Sequence, residues 1–201
     1  MIEDRRADRT IRVWSSGCAT GEEAHSIAIL IERDFPSLAD WDVRILATDI
    51  SKQFLERGRT GRYRAWSFRQ TEIGNDPRYF KREKDDFVLN DRVRDKVRFH
   101  HLNLVYDAYP SLLMQTVGLD LIVFRNVAIY LKEEVSQSIV RRFAQCLRPG
   151  GWLLIGEVEI SHRLFSEDDY EKIRDGETIL LRRRDTKISA SPTLPPIVPL
   201  W

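Results

Sequence analysis

Five short polar stretches, each directly after an apolar run, hold the residues whose types and spacing suit chemistry. The first is Ser16-Gly17-Cys18-Ala19-Thr20-Gly21-Glu22-Glu23, where two glycines admit a ligand close to the backbone and two carboxylates follow at a helix start. Acids there are favoured by the helix dipole, and the same loop serves equally as a tight strand-to-helix turn. It is neither G-x-G-x-x-G nor G-x-x-x-x-G-K-[ST] and offers no lysine, which argues against a nucleoside triphosphate. The second is Asp49, a carboxylate able to accept both hydroxyls of a ribose, or to cap the helix that follows it. Asn103, in His101-Leu102-Asn103-Leu104, carries donor and acceptor side by side, as a base edge requires, and is also an ordinary turn residue. Arg125-Asn126, with Tyr130, comes straight after Leu119–Phe124, where polar groups must be solvated or face a ligand. The fifth is the Gly156-Glu157 step.

These groups need strands that end together. Ile11 to Trp14 reads as a short strand, and after the glycine loop Ala24, Ile27, Ala28 and Ile31 fall on one helical face, with Pro36 just beyond. Val43 to Ala47 is a second buried strand ending at Thr48 and Asp49, and a short helix follows near Lys52 to Arg57. From Gly58 to Lys96 the pattern breaks into short aromatic segments and a Gly-Asn-Asp-Pro turn, which predicts an insertion with small antiparallel strands such as Phe87 to Leu89. Val97 to Leu102 and Leu119 to Phe124 are strands three and four. Val135, Ile139, Phe143 and Leu147 mark a helix that Arg148-Pro149-Gly150-Gly151 stops before a fifth strand, WLLIG. YEKIR and TILLRRR, around Asp175-Gly176-Glu177, form an antiparallel hairpin. The class is α/β, a mostly parallel sheet closed by a hairpin, with the five polar stretches at the strands' carboxyl ends.

Composition limits the partners. At 201 residues, 42% of them hydrophobic, the chain supports one sizeable core. Lys plus Arg is 32 against 31 acids, so no global field draws in nucleic acid or anionic lipid. Locally, Arg57, Arg59, Arg62, Arg64 and Arg69 stand without an acid among Tyr63, Trp66 and Phe68, either as a field for an acidic helix or as a solvated fringe over packed aromatics. Cys18 and Cys146 lack the spacing of a zinc site and fit a reducing cytoplasm, and His100 and His101, adjacent in a strand, point to opposite faces. No metal, exported leader or membrane insertion is indicated. The tail TKISASPTLPPIVPLW has the composition of an extended linker.

VWSSGCATGEEAHSIAI, LATDIS, RTGRY, FHHLNL, FRNVAIYL and LRPGGWLLIGEVE together resemble, in order and spacing, the successive motifs of the CheR chemotaxis receptor methyltransferases. The resemblance runs from about Ile11 to Arg184. It implies a class I, Rossmann-like S-adenosylmethionine-dependent methyltransferase with a seven-stranded sheet. Residues 1–10 would be a lead-in, 11–184 the methyltransferase domain with an inserted β-subdomain at about 60–96, and 185–201 a proline-rich tail. Gly17, Gly21, Glu23, Asp49, Asn103, Leu104, Arg125 and Asn126 would bind the cofactor, leaving S-adenosylhomocysteine as product, and Tyr130 would face the transferred methyl. The implied activity is glutamate O-methylation of a chemotaxis receptor or similar acidic signalling helix in the cytoplasm, with further domains of the same polypeptide as possible partners. The family's Glu-Glu-Pro-Tyr is Glu22-Glu23-Ala24-His25 here, and Ala128 replaces its usual Met. The family's N-terminal helical domain and its Asn-x-Thr-x-Phe-Phe-Arg motif are absent from this sequence, so the alternative is a non-catalytic cofactor-binding or interaction module of a larger signalling protein.

Overall fold

The computed structural model describes residues 1–68, 71–156, 159, 164–175 and 178–185. Arg69, Glu157, the turn residues Gly176 and Glu177 and the proline-rich tail from 186 onward lie outside the described residues. The elements are β1 (Thr10–Ser16), α1 (Glu22–Asp34), β2 (Asp42–Asp49), α2 (Lys52–Thr60), β3 (Arg62–Arg64), β4 (Phe80–Glu83), β5 (Asp86–Leu89), α3 (Asp91–Arg94), β6 (Val97–His101), β7 (Leu119–Phe124), α4 (Glu133–Cys146), β8 (Leu147–Ile155), β9 (Tyr170–Asp175) and β10 (Thr178–Arg183).

Seven strands form one sheet in the order β6-β2-β1-β7-β8-β10-β9. The first five are parallel, and β10 runs antiparallel to both β8 and β9. The chain winds outward from β1 in one direction and from β7 in the other, so a crevice opens where these neighbours diverge, at their carboxyl ends. Period-two alternation fills both faces: Ile11, Val13, Ile45 and Ala47 pack with α1, while Trp14, Leu46 and Ile122 pack with α4. Trp14 is fully buried, edge-on to Tyr109 and Phe143 at 5.5 and 5.3 Å, and its Nε1–H donates to Thr48 Oγ1 at 2.9 Å. At the opposite end of the strands the buried Asp120 carboxylate accepts from Arg5 Nε at 2.7 Å, Arg148 Nε at 2.5 Å and the Arg12 amide at 2.9 Å.

A separate three-stranded antiparallel sheet, β3-β5-β4, occupies the region where the periodicity breaks. Tyr63, Phe80 and Phe87 are buried there around Phe68. Three of the five arginines, Arg59, Arg62 and Arg64, are paired with acids. Arg62 pairs with Glu83 and Asp86 and Arg64 with Asp85 and Asp86, because β4, β5 and the turn between them bring acids distant in sequence beside them, while Arg59 pairs with Glu56 one turn earlier in α2.

Two local expectations need correction. The buried face of α1 is Ala24, His25, Ala28 and Ile29, with Ile27 and Ile31 only half-buried. His25 turns inward because its ring packs on Tyr63 and Phe99 and its Nδ1 hydrogen-bonds the Tyr63 hydroxyl. Arg148-Pro149-Gly150-Gly151 does not separate helix from strand: α4 ends at Cys146, and Leu147 already pairs with Leu119 in β8. The next pair, Leu121 with Trp152, follows a register shift, so the segment is a bulge within the strand, with Gly150 at φ 72°. No helix among the described residues is long and apolar enough to cross a membrane.

Candidate functional site

The carboxyl ends of β1, β2, β6 and β7 surround an open cavity of about 620 Å³. Gly17, Glu23, Asp49, Asn103, Leu104, Arg125, Asn126 and Tyr130 all line it, although up to 113 residues separate them in the chain. Gly21 does not. It sits behind the wall as the left-handed N-cap of α1, its Cα against the Phe99 ring.

Each wall has a local cause. The amides of Gly17 and Cys18 donate to the Thr48 carbonyl at 2.8 and 2.9 Å, which ties the β1 loop to the end of β2. Gly17 has φ 76°, and a Cβ there would lie 2.4 Å from Val127 Cγ2, so only glycine lets the β1 and β7 loops meet at the cavity floor. Asp49 Oδ2 accepts the Ala19 amide at 2.9 Å and Oδ1 the Ser51 amide at 2.8 Å. Ser51, not Asp49, is the N-cap of α2, accepting from the Phe54 amide, while Asp49 holds the Ser51 amide one step before the helix. Each Asp49 oxygen keeps a second lone-pair direction for a ligand hydroxyl.

Glu23 projects from the first turn of α1, and its Oε1 accepts from the buried Ser15 hydroxyl at 2.7 Å. Burial raises its pKa above the usual carboxylate range; the Ser15 hydrogen bond and the Arg125 charge oppose the rise, and the charge of Glu159 adds to it. Cys18 lines the same wall, but burial pushes its thiol pKa up, so it is no thiolate nucleophile.

On the β6 side, Asn103 Oδ1 accepts the Val105 amide at 2.9 Å, which leaves the side-chain NH₂ for a base edge. Leu104 is buried, and Ile50, Phe54 and Val105 add apolar wall. This loop is held from below by Arg142, which donates to the Leu104 carbonyl at 2.9 Å and to the Asp107 carbonyl while its guanidinium covers the Tyr109 ring at 3.5 Å. At the mouth, Tyr130 is 81% exposed at the end of the 3-10 turn Ala128–Tyr130, and Asn126 adopts φ 59°.

Sequence reading missed Arg142 and Glu159. Arg142 sits among Ile139, Val140 and Phe143 on the apolar face of α4, and an arginine there was the available signal. Glu159 is fully buried next to the loop after β7, and its own neighbourhood gave no signal beyond an acid two residues after Glu157.

A family model described as "CheR methyltransferase, SAM binding domain" matches residues 1–179. The chain belongs to this family. Its relatives agree: it is 34% identical over 172 residues to a "Chemotaxis protein methyltransferase" of Listeria monocytogenes, covering 85% of this chain and 60% of the relative. It is 32% identical over 167 residues to "Chemotaxis protein methyltransferase 2" of Vibrio cholerae, covering 82% and 57%. The chain thus spans about 60% of the length of the curated relatives it matches. Among solved structures, a magnesium protoporphyrin IX methyltransferase from Synechocystis with bound S-adenosylhomocysteine aligns over 92% of this chain and 80% of its own at 12% identity, TM-score 0.49. The cavity fits the CheR cofactor by its donor set: a diol acceptor in Asp49, an amide beside apolar wall at Asn103, and a buried carboxylate, Glu23, for a cationic group.

Proposed function

We propose that this CheR domain transfers a methyl group from S-adenosylmethionine to glutamate side chains of an acidic receptor helix in the cytoplasm. One observation carries the reading: a single cavity gathers Glu23, Asp49, Asn103 and Tyr130 from four separate strand ends. The cofactor supplies a methyl group on a sulfonium. Asp49 would accept the ribose hydroxyls, Asn103 and Leu104 would border the adenine between Ile50, Phe54 and Val105, and Glu23 would face the cationic amino-acid end. Gly17, Arg125 and Asn126 would line the passage to Tyr130.

The methyl acceptor needs no general base, because a glutamate with an ordinary pKa of about 4.3 is ionised at neutral pH. The chain's task is therefore positioning, which contributes about 7 to 11 kcal/mol in favourable cases. Tyr130 stands at the mouth with its hydroxyl exposed, suited to donate a hydrogen bond to an incoming carboxylate. The working unit in this reading is residues 11–184, with 60–96 the inserted β-subdomain and 185–201 a linker to further domains.

The test has two stages. Calorimetric titration with S-adenosylhomocysteine should give binding to the chain that Asp49→Ala weakens strongly. The full-length protein containing this domain, given methyl-labelled cofactor and a receptor fragment, should then form label released as methanol by mild alkali, as carboxyl esters are. Binding without transfer, even in the full-length protein, would favour the non-catalytic module.

A further inference from the structure

Glu159 is fully buried, and among the described residues only one of its two carboxylate oxygens has a partner. Oε1 accepts the backbone amides of Val127 at 3.0 Å and Ala128 at 3.3 Å. Oε2 lies over the Cα of Gly156 so closely that a Cβ there would come within 2.5 Å of it. The same Cβ would stand 3.6 Å from Arg125 Cβ. The carboxylate is therefore wedged between the end of β8 and the loop after β7, with no direct place on the cavity wall.

Val127 is the N-cap and Ala128 the first residue of the 3-10 turn that ends at Tyr130. The N-cap's own side chain is a valine and cannot satisfy these amides, so the cap comes from a residue more than thirty positions away. The loop needs such a hold. Asn126 is in the left-handed region, Val127 presses on Gly17, and the three residues of the turn make too short a helix to fix their own direction. An unpartnered buried carboxylate oxygen is a standing cost, tolerated where the other oxygen serves a purpose beyond stability.

We infer that Glu159 is the positioning residue for Tyr130, fixing the turn that presents the tyrosine to the methyl acceptor through its two amide hydrogen bonds. This rests on the proposed reading of Tyr130. Glu159→Ala removes both bonds, and a misplacement on the order of 1 Å at the reacting centre costs about a hundredfold in rate. Glu159→Gln keeps an acceptor oxygen in the same place and restores the positioning.

Three measurements on the full-length protein decide it. The kcat for methyl transfer should fall about a hundredfold in Glu159→Ala and return to within about fivefold of wild type in Glu159→Gln, while S-adenosylhomocysteine affinity changes less than about threefold in either. Combining Glu159→Ala with Tyr130→Phe should cost little more than the larger single effect, since both act through one group. Amide exchange in the peptide spanning 127–131 should accelerate in Glu159→Ala and not in Glu159→Gln. Additive kcat losses, a Glu159→Gln as impaired as Glu159→Ala, or unchanged exchange would each overturn the inference. A wild type that transfers no methyl counts against the functional reading instead, and the inference then stands or falls on the exchange experiment.

Discussion

The two ends of the parallel sheet hold their buried acids in opposite ways. At the amino end, Asp120 is buried and its carboxylate accepts from Arg5, Arg148 and the Arg12 amide, so both of its oxygens are filled by cationic or backbone donors. At the carboxyl end, Glu159 leaves one oxygen without a partner among the described residues, and Glu23 is pushed toward protonation by burial and by the neighbouring Glu159. Strand ends of the same sheet thus serve different tasks. An ionic cluster fastens the chain's first residues to the sheet, whereas at the other end Glu23 lines the cavity and Glu159 holds the loop after β7 from behind it.

Asp120→Ala gives the largest expected effect and the sharpest test of this division. It removes the shared buried acceptor of two guanidinium groups and an amide, leaving Arg5 with Asp8 and Arg148 with Asp4, so the cost should be about 3 kcal/mol, the low end for a broken buried pair. Urea unfolding should show that loss, while S-adenosylhomocysteine affinity of the folded variant stays within about twofold of wild type. A large affinity loss in folded Asp120→Ala would mean the two ends are coupled, and the division would fail.

His25 contributes nearly as much, through pH. Its Nδ1–H meets the oxygen of Tyr63, whose hydroxyl donates to the Thr20 carbonyl, and its Nε2 is buried with no partner among the described residues. Protonation would place an unpartnered charge in the core, so burial lowers its pKa from 6.5 to about 4, with the Arg94 charge adding to the fall. The unfolded chain binds the proton more readily, so this stability is fully present above pH 6.5 and is lost as pH falls toward about 4. At about 1.4 kcal/mol per pH unit the loss approaches about 3 kcal/mol. Unfolding midpoints at several pH values should show a steeper decline for wild type than for His25→Gln across that window. Equal slopes would remove His25 from the account.

What was legible in the sequence follows from range. The strands were readable because apolar runs such as Leu119–Phe124 are local, and the polar residues after them line one cavity, while its apolar lining of Ile50, Phe54 and Val105 was not read. The errors come from interactions across the chain. His25 is inward only because Tyr63 and Phe99 arrive from elsewhere, and the Arg62 and Arg64 charges are offset by acids that β-pairing supplies. Gly21 was grouped with Gly17 because the loop's composition gives no sign of which glycine lines the cavity and which packs on a phenylalanine ring. Arg142 and Glu159 act through backbone groups of distant loops, and a backbone amide carries no side-chain signature.

Asp49→Ala should affect the ligand more than the fold. The ribose contact proposed for it is a hydrogen bond to a charged group, worth about 1.5 to 3 kcal/mol, or about 10- to 150-fold in affinity. The amides of Ala19 and Ser51 that lose their acceptor lie in partly exposed turns, so the stability change should stay near 1 kcal/mol. Calorimetry and urea unfolding on one preparation separate the two. Unchanged affinity would dismiss the ribose assignment, and a stability loss rivalling that of Asp120→Ala would erase the contrast between the sheet's ends.

Glu23→Gln is the smallest effect and the most diagnostic, because a ligand-facing carboxylate and a structural one respond with opposite signs. A carboxyl whose pKa is raised on folding binds its proton more tightly in the folded chain, so its burial cost is absent below the ordinary carboxylate range and appears as pH rises through the raised value. At pH 8 the ligand-free glutamine variant should therefore be more stable than wild type, by on the order of 1 kcal/mol. Cofactor binding should show the reverse. Wild-type affinity for S-adenosylhomocysteine should fall as pH drops through the raised Glu23 pKa, because the protonated carboxyl no longer attracts the ligand's ammonium group, whereas the glutamine variant should bind a few-fold more weakly at pH 8 and with a flatter profile. A variant that is less stable and yet binds normally would make Glu23 a structural acid like Asp120, and the two ends of the sheet would then be alike in kind.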